Sequence, residues 1–423
     1  MSSKLSAFIH KYKQINLTFV DQAIVSGTNF LTGILLARFL GIEEYGRFTL
    51  IWMSILFFMS MHTALIISPM LSIAPKQEHN QKKEYYSAIF IHLTIWMFLS
   101  ALILIAGCII FGNLYPDKNV NSLILPMVIV LISFQFQDFL RRYFFSTDRA
   151  ADAIFIDSMS YLGQILVLII AFTFFKITLE ITLYIIAATS FNAILWGKLK
   201  AKNLSLKTTS LMAVTKRHFH FSKWLIGTSI IEWTSGNLFM IAAGGIIGAS
   251  AVGAVRATQN IIGITHIFFQ ACDNFIVPSA AKSFVRGGFN ALIRYIINAS
   301  LWGGGLMIFF FLTIALFPKF WLSLFYGDEF IQYSYLLYWW CFCYFIFLNN
   351  YFMGAFLKAL EYTNVFFISG AVMSVFSLAL SKYIVSNYGI QGVMAGTLIN
   401  HIITFVIISS AFSIQLKKRH KIV

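Results

Sequence analysis

Long apolar stretches alternate with short polar segments along almost the whole chain. A helix needs roughly 20 apolar residues to cross the hydrocarbon core of a bilayer. Twelve stretches approach or exceed that length, and they lie at about 17–40, 48–73, 87–111, 123–145, 154–175, 177–197, 223–247, 257–281, 296–317, 333–357, 362–385 and 388–412. The pattern predicts an all-α integral membrane protein with about twelve transmembrane helices.

The composition agrees with lipid as the solvent for most of the surface. Only 11% of the 423 residues are charged, whereas a soluble domain carries about 25%. So few charges do not cover a surface that faces water. The first apolar stretch is too long for the core of a signal peptide and lacks a small-residue cleavage site, so we predict a retained first span.

The basic residues predict how the helices are oriented. If the N-terminus is cytoplasmic, 24 of the 31 Lys and Arg residues fall on the cytoplasmic side and 7 on the other. Cytoplasmic loops are enriched in Lys and Arg, so we expect a multi-pass protein of the bacterial inner membrane with both termini in the cytoplasm. The net charge of +15 then reflects topology and attraction to anionic lipids, and it does not require a nucleic-acid partner.

The longest polar connection, at about residues 198–222, divides the apolar stretches into six and six. We therefore predict an N-terminal six-helix lobe at 1–209 and a C-terminal six-helix lobe at 210–423. Two lobes around a central cleft are the architecture of alternating-access transporters.

A short motif occurs in both halves, after the first predicted span of each. Leu40–Gly46 and Ile247–Gly253 both follow the pattern apolar-Gly-x-x-x-(Tyr/Val)-Gly. Glycine pairs suit a tight turn that reverses the chain. Because six spans separate the copies, the motif predicts a parallel repeat about an axis normal to the membrane. The alternative is that glycine-rich turns recur by chance.

The segment Leu36–Phe48 resembles the first-hairpin signature of polysaccharide transporters, which are lipid-linked oligosaccharide flippases of the multidrug/oligosaccharidyl-lipid/polysaccharide exporter superfamily. The resemblance continues at Gly248–Ala257, Gly354–Asn364 and Tyr388–Thr397, although Val252 stands where the family often has an aromatic residue. It implies transport of undecaprenyl-diphosphate-linked oligosaccharide, such as an O-antigen repeat unit, from the cytoplasmic to the outer leaflet. It also implies contact with membrane lipids and with the polysaccharide polymerase machinery.

Acidic residues inside predicted spans are candidates for ion coupling, because a charge in the hydrocarbon costs at least about 2.5–3.5 kcal/mol. Glu232 and Asp273 lie at similar predicted depth in consecutive spans, and Asp21 lies nearer the cytoplasmic face. Two close carboxylates form a plausible proton or sodium site. Alternatively, each acid pairs separately with a basic or hydroxyl group.

Basic residues near span ends are candidates for binding the diphosphate. The candidates are Arg38, Arg141, Arg142, Lys223 and Arg256. Arginine suits this role because its planar fork binds phosphate bidentately. The alternatives are interfacial contact with lipid phosphates and, for Arg141 and Arg142, an intrahelical ion pair with Asp138.

Several other residues allow two interpretations. His62, His266 and His401 suit either a proton relay or hydrogen bonds between helices. The aromatic stretch Tyr335–Tyr344 suits either an interfacial belt or a platform on which sugars stack. Cys341 and Cys343 lack a second ligand pair at zinc spacing.

Three classes of function remain open at this stage. The first is a lipid-linked oligosaccharide flippase, and the second is a drug or small-cation antiporter of the same fold. The third is a membrane glycan polymerase or acyltransferase, which we do not expect because the outer connections are short and no nucleophile-base pair occurs in the sequence. We predict neither a cofactor nor a metal site.

Overall fold

The computed structural model describes residues 2–78, 81–115, 120–201, 204–206, 208 and 210–419. These residues contain no strand. Their α-helices are α1 (Ser2–His62), α2 (Ser68–Ile73), α3 (Lys82–Leu114), α4 (Ile124–Ser146), α5 (Ala150–Asp157), α6 (Gly163–Phe174), α7 (Leu179–Lys200), α8 (Leu211–Ile246), α9 (Ala249–Gly263), α10 (Thr265–Leu316), α11 (Pro318–Tyr326), α12 (Leu336–Ala359) and α13 (Asn364–Arg419).

The longest helices contain more than one membrane crossing. The 61 residues of α1 would extend about 90 Å at 1.5 Å per residue, which is three times the thickness of a hydrocarbon core. Non-helical glycines interrupt α1 at Gly41, α10 at Gly287 and Gly288, and α13 at Gly389. Eight helices of the described residues are apolar and long enough to span a membrane. The predicted all-α membrane fold with about twelve crossings is confirmed.

The first glycine of each repeated motif forms a turn, as predicted. Gly41 has φ +80° and Gly248 has φ +119°, a region of backbone conformation that favours glycine. In both copies the chain leaves one helical arm at this residue and begins the next.

The second glycine of each motif has a different role from the one we predicted. Gly46 and Gly253 are helical, so they do not form the turn. A Cβ atom on Gly46 would overlap the carbonyl oxygen of Ala249, and one on Gly253 would overlap that of Ile42. These two glycines let two helix backbones approach each other closely, which no larger residue permits.

Contacts divide the chain into two compact units. Unit 1 comprises Met1–Leu35 and Ile51–Ser229, and unit 2 comprises Leu36–Leu50 and Ile230–Val423. The hairpin around Gly41, residues 36–50, therefore packs with unit 2 although it belongs to α1. The six-helix lobes 1–209 and 210–423 remain a prediction about the repeat.

Each unit is organised around one central helix. In unit 1, α4 packs against α3, α5 and α7, and a cluster of buried side chains that includes Met70, Tyr86, Phe139 and Phe144 fills the space between them. In unit 2, α12 packs against α9, α10 and α13. Polar side chains on α4 and α9 therefore lie against neighbouring helices.

Candidate functional site

Unit 1 contains a cluster of charged side chains on α1, α4 and α5. The cluster, named here the Arg141 cluster, consists of Asp21, His62, Asp138, Arg141, Arg142 and Asp157. The side chains of Asp21, His62 and Asp157 have no exposed surface, and that of Arg141 is 11% exposed. Ionisable groups buried in a membrane segment are candidates for function by default.

Arg141 is the centre of this cluster and holds two aspartates from other helices. Its Nη2 atom lies 2.5 Å and its Nε atom 3.0 Å from Oδ2 of Asp21. The same Nε atom lies 2.7 Å from Oδ2 of Asp157. Burying a charge is costly unless it is paired and hydrogen-bonded, so these contacts stabilise the buried charges. They also join α1, α4 and α5 through one guanidinium group.

Asp138 links this centre to two further groups. It accepts a hydrogen bond from Nε of Arg142 at 3.3 Å, the i,i+4 pair that the sequence predicts. Its other carboxylate oxygen lies 3.7 Å from Nε2 of His62. Neither ring nitrogen of His62 has a hydrogen-bond partner in the described part of the chain.

The charges of the cluster do not balance. Three carboxylates face two guanidinium groups, which leaves one excess negative charge when all three carboxylates are ionised and His62 is neutral. Oδ1 of Asp21 is also buried without a hydrogen-bond partner among the described residues. One added proton or monovalent cation would neutralise the group, and burial makes an unbalanced charge unfavourable.

Irregular helix turns lie directly beside the cluster. The π-helical segment Thr63–Ile67 follows His62, and the π-helical segment Ser158–Leu162 follows Asp157. Such turns are rare and occur frequently at functional sites. They place the side chains of His62 and Asp157 at points where the regular helical hydrogen bonding changes.

Polar groups extend the cluster toward α7. Nε2 of Gln137 donates to Oδ1 of Asp157 at 3.0 Å. The hydroxyl group of Ser160, within the second π-helical segment, donates to Oε1 of Gln137 at 2.8 Å and lies 3.2 Å from that of Ser190. These hydrogen bonds hold Oδ1 of Asp157, whereas Arg141 contacts Oδ2.

Asp157 is the functional candidate that our sequence analysis missed. It lies four residues into the predicted span 154–175, so the rule that selected Asp21 would also have selected it. The contact between Asp157 and Arg141 was not predictable, because it depends on how α4 and α5 pack.

In unit 2, Arg256 on α9 is a cation whose positive charge is not paired with a carboxylate among the described residues. It is partly buried, and its Nη1 atom donates to Oε1 of Gln259 at 3.0 Å. The described residues give it no carboxylate within 4.0 Å, in contrast to Arg141. A guanidinium group has five N–H donors, so most of them remain available to an anion.

Hydroxyl and ring groups surround Arg256. Tyr45, His266 and Tyr344 are close enough to interact with it electrostatically. The hydroxyl group of Tyr45 accepts a hydrogen bond from Asn260 at 2.9 Å, and that of Tyr344 lies 2.9 Å from Nε2 of His266. Among the described residues, the groups that interact with Arg256 are therefore polar and not acidic.

The remaining predicted site residues lie apart from these groups. Arg38 is exposed and donates to backbone carbonyl groups of residues 323–325. Lys223 is exposed, with Nζ 6.0 Å from the ring of Trp224, and the side chain of Glu232 is exposed. The side chain of Asp273 lies outside the described residues, so its predicted pairing with Glu232 remains a prediction.

Part of the predicted aromatic belt points into unit 2. Nε1 of Trp340 donates to the hydroxyl group of Thr258 at 3.1 Å, and both groups are buried. Tyr344 is buried as well, whereas Tyr338 is 52% exposed. Two residues of the stretch thus stabilise packing against α9 and α10, and only the outward-facing side chains are left for a belt.

Comparison with known families gives two matches. The model of the family described as "Polysaccharide biosynthesis protein" matches residues 12–272, and the MatE model matches residues 225–384. No curated protein sequence matches the chain.

Solved structures share the fold over nearly the whole chain. An inward-facing multidrug resistance MATE family transporter of the MOP superfamily aligns with a TM-score of 0.67 at 14% identity, covering 95% of this chain and 96% of that one. The lipid II flippase MurJ in an inward closed conformation aligns at 0.62 and 14%, covering 96% and 87%. A MOP superfamily transporter from Pyrococcus furiosus aligns at 0.59 and 12%, covering 96% and 94%.

The structural matches and the family models support different conclusions, the former about the fold and the latter about the family. At 11–15% identity the structural matches show the fold alone, and that fold is the all-helical one of MOP superfamily transporters. The first family model, in contrast, covers more than half of the chain. The chain therefore belongs to the polysaccharide biosynthesis protein family, and it has the fold of the MOP superfamily transporters.

Proposed function

We propose that the protein is a flippase for undecaprenyl-diphosphate-linked oligosaccharide, such as an O-antigen repeat unit. It carries this lipid from the cytoplasmic to the outer leaflet of the bacterial inner membrane by alternating access, with both termini in the cytoplasm. The observation that carries the proposal is Arg256, a partly buried arginine to which the described residues offer no carboxylate. The family match supports a polysaccharide cargo.

Arg256 suits the head group of such a lipid better than a cationic drug. A diphosphate needs several donors and positive charge, and a guanidinium group supplies both in a planar fork. The nearby hydroxyl groups of Tyr45 and Tyr344 and the ring of His266 add polar groups without adding negative charge. A cationic substrate would be repelled by Arg256.

In this proposal, unit 1 binds the coupling ion. With its three carboxylates ionised and His62 neutral, the Arg141 cluster carries one uncompensated negative charge. It also holds buried acceptors on Asp21 and His62. Binding and release of one proton would alternate the cluster between a neutral and a charged state. The energy of burying the cluster differs between these two states. Binding of the proton can therefore change how stably α1, α4 and α5, which the cluster joins, pack together.

A drug or small-cation antiporter is the second candidate function. The match of the MatE model to residues 225–384 and the similarity to a multidrug resistance transporter favour it. It predicts that the acidic groups of unit 1 bind the cargo or its counter-ion, and that Arg256 is dispensable.

A deletion strain with complementation distinguishes the candidates. We expect the deletion to abolish surface glycan and to accumulate undecaprenyl-linked repeat units that face the cytoplasm. Wild-type protein and Arg47→Ala restore display, because Arg47 pairs only with Glu43 and Glu44 of its own helix among described residues. Arg256→Ala does not restore it, although the protein reaches the membrane.

Other outcomes reject the proposal. A strain that keeps its surface glycan but loses resistance to cationic drugs identifies an antiporter. A strain in which correctly oriented, fully translocated repeat units accumulate without being joined identifies a polymerase.

A further inference from the structure

In unit 2, two segments that are far apart in sequence each provide a side chain that caps a helix end in the other segment. One is the hairpin 36–50 around Gly41, and the other is the segment 318–333, which contains α11 and the 3₁₀ turn Asp328–Tyr333. The segment 318–333 follows the predicted span 296–317 and reaches the start of the predicted span 333–357, a connection that the predicted topology places on the outer face. Both caps are made by charged side chains.

Arg38 caps the C-terminal end of α11. Its Nε atom donates to the carbonyl group of Phe325 at 2.8 Å, and its Nη2 atom donates to those of Ser323 at 3.2 Å and of Leu324. The last carbonyl groups of a helix have no partner in a following turn, and they form the negative end of its dipole. The carbonyl group of Ser323 also accepts a hydrogen bond from the N–H of Gly327 at 3.1 Å. One guanidinium group thus occupies three backbone acceptors.

Glu329 makes the complementary cap on the hairpin. Its Oε2 atom accepts a hydrogen bond from the backbone N–H of Ile42 at 3.3 Å. Ile42 follows Gly41, where the positive φ ends one helical arm and starts the next, so its N–H group lies in the first turn of the second arm, where N–H groups lack partners within the arm. A carboxylate at the start of a helix is favoured by the dipole.

Aromatic packing also joins the two segments. The rings of Tyr45, from the hairpin, and Tyr326, from the end of α11, lie 6.2 Å apart, and each residue is 2% exposed. The hydroxyl group of Ser323 donates to Asp328 at 2.7 Å and holds the turn after α11 in place. The contact between the two segments therefore combines buried tyrosine rings with the exposed charged side chains of Arg38 and Glu329.

We propose that Arg38 and Glu329 are positioning residues that form a reciprocal capping clamp between the hairpin 36–50 and the segment 318–333. Arg38 acts through the carbonyl groups of α11 and is not a ligand of the lipid head group. The clamp holds the predicted outer hairpin in one place on unit 2, so it sets the rate of transport and not the affinity for the head group. Only this transport role rests on the proposed function.

Hydrogen exchange of the full-length protein in lipid nanodiscs tests the clamp. Because each residue caps the other segment, Arg38→Ala and Glu329→Ala should each speed amide exchange in both segments, by about fivefold, as is typical for the loss of one helix cap. Glu329→Gln keeps an oxygen acceptor for Ile42 and should retain the wild-type protection. Arg47→Ala is the matched control, since it removes a partly exposed arginine of the same hairpin that pairs with Glu43 and Glu44.

Binding of undecaprenyl diphosphate in the same nanodiscs separates a clamp from a ligand. The proposal requires Arg38→Ala and Glu329→Ala to bind this lipid within twofold of the wild type and to transport it more slowly. It is overturned if either variant leaves exchange in either segment at the wild-type rate. It is also overturned if Arg38→Ala binds at least tenfold more weakly while Glu329→Ala binds normally. If the wild type itself does not bind the lipid, the proposed function fails, and the exchange data alone decide about the clamp.

Discussion

Arg141 on α4 lies between Asp21 on α1 and Asp157 at the end of α5, with contacts of 2.5 Å and 2.7 Å. The three side chains are the centre of a buried network that joins helices distant in sequence. Their arrangement separates two roles that the sequence left open for Arg141. Two carboxylates already occupy its guanidinium group, so we propose the diphosphate role for Arg256, which has no such partner among the described residues.

Replacing Arg141 by Met should destabilise the protein strongly. The substitution leaves Asp21 and Asp157 buried without their counter-charge, and breaking a buried ion pair in this way costs about 3–5 kcal/mol. Arg47→Ala, which removes partly exposed ion pairs with Glu43 and Glu44, should cost less than about 1 kcal/mol. The measurement is the free energy of unfolding in detergent. Adding Asp21→Asn and Asp157→Asn to Arg141→Met should restore part of the loss, and no restoration would argue against the network.

Replacing Asp157 by Asn should imitate a protonated cluster. The substitution leaves two carboxylates facing two guanidinium groups, so stability should be equal to or greater than that of the wild type, and the amide can still accept from Gln137. Transport should no longer respond to a pH gradient. Asp152→Asn is the matched control, because Asp152 pairs with Arg149 and both side chains are partly exposed. A wild-type pH response in Asp157→Asn would remove Asp157 from the coupling site.

The glycines of the repeated motif should differ sharply from other helical glycines. Gly46→Ala and Gly253→Ala place a methyl group against backbone carbonyl oxygens, so each should cost about 2–3 kcal/mol through overpacking. Gly27→Ala and Gly236→Ala meet no atom within 4 Å and should stabilise their helices by up to about 1 kcal/mol. Thermal unfolding of the four variants checks this, and equal effects would contradict the close approach.

Acid should loosen the segment that precedes the predicted span 223–247. His218 lies in this segment, packs against Tyr85 and His92, and has a pKa lowered from 6.5 to about 4, chiefly by burial and further by His92. The unfolded segment therefore binds more protons than the folded one between pH 6.5 and about 4, so its stability falls as the pH falls through that window.

Amide exchange of residues 211–222 measures this effect. After correction for the intrinsic pH dependence of exchange, protection should be lower at pH 5 than at pH 7.5. His218→Gln should remove the difference, whereas His220→Gln, at an exposed position, should keep it. A pH response that survives in His218→Gln would assign it to another group.

The sequence predicts the membrane fold well because lipid imposes a length and a polarity on every span. It also predicts the turns at Gly41 and Gly248, since few residues adopt their backbone conformation. It does not predict the contact of Gly46 with Ala249, because that contact depends on packing between segments about 200 positions apart.

The candidate site was predicted only in part for the same reason. Asp21, Arg141 and the pair of Asp138 with Arg142 follow from residue type and helical spacing. The contact of Arg141 with Asp157 and the capping of α11 by Arg38 depend on tertiary packing. Charge alone could not distinguish an arginine that is already paired, such as Arg141, from one that is open to a ligand, such as Arg256.

The central claim is that Arg256 binds the diphosphate of the transported lipid, and flipping in proteoliposomes tests it most directly. Purified protein is reconstituted with an undecaprenyl-diphosphate-linked oligosaccharide, and its appearance in the opposite leaflet is followed under an imposed pH gradient. We expect wild-type protein and Arg47→Ala to flip the lipid, and Arg256→Ala to lose at least about tenfold in rate, as is typical when a charge-assisted hydrogen bond is removed. Flipping by Arg256→Ala at the rate of Arg47→Ala would contradict the account.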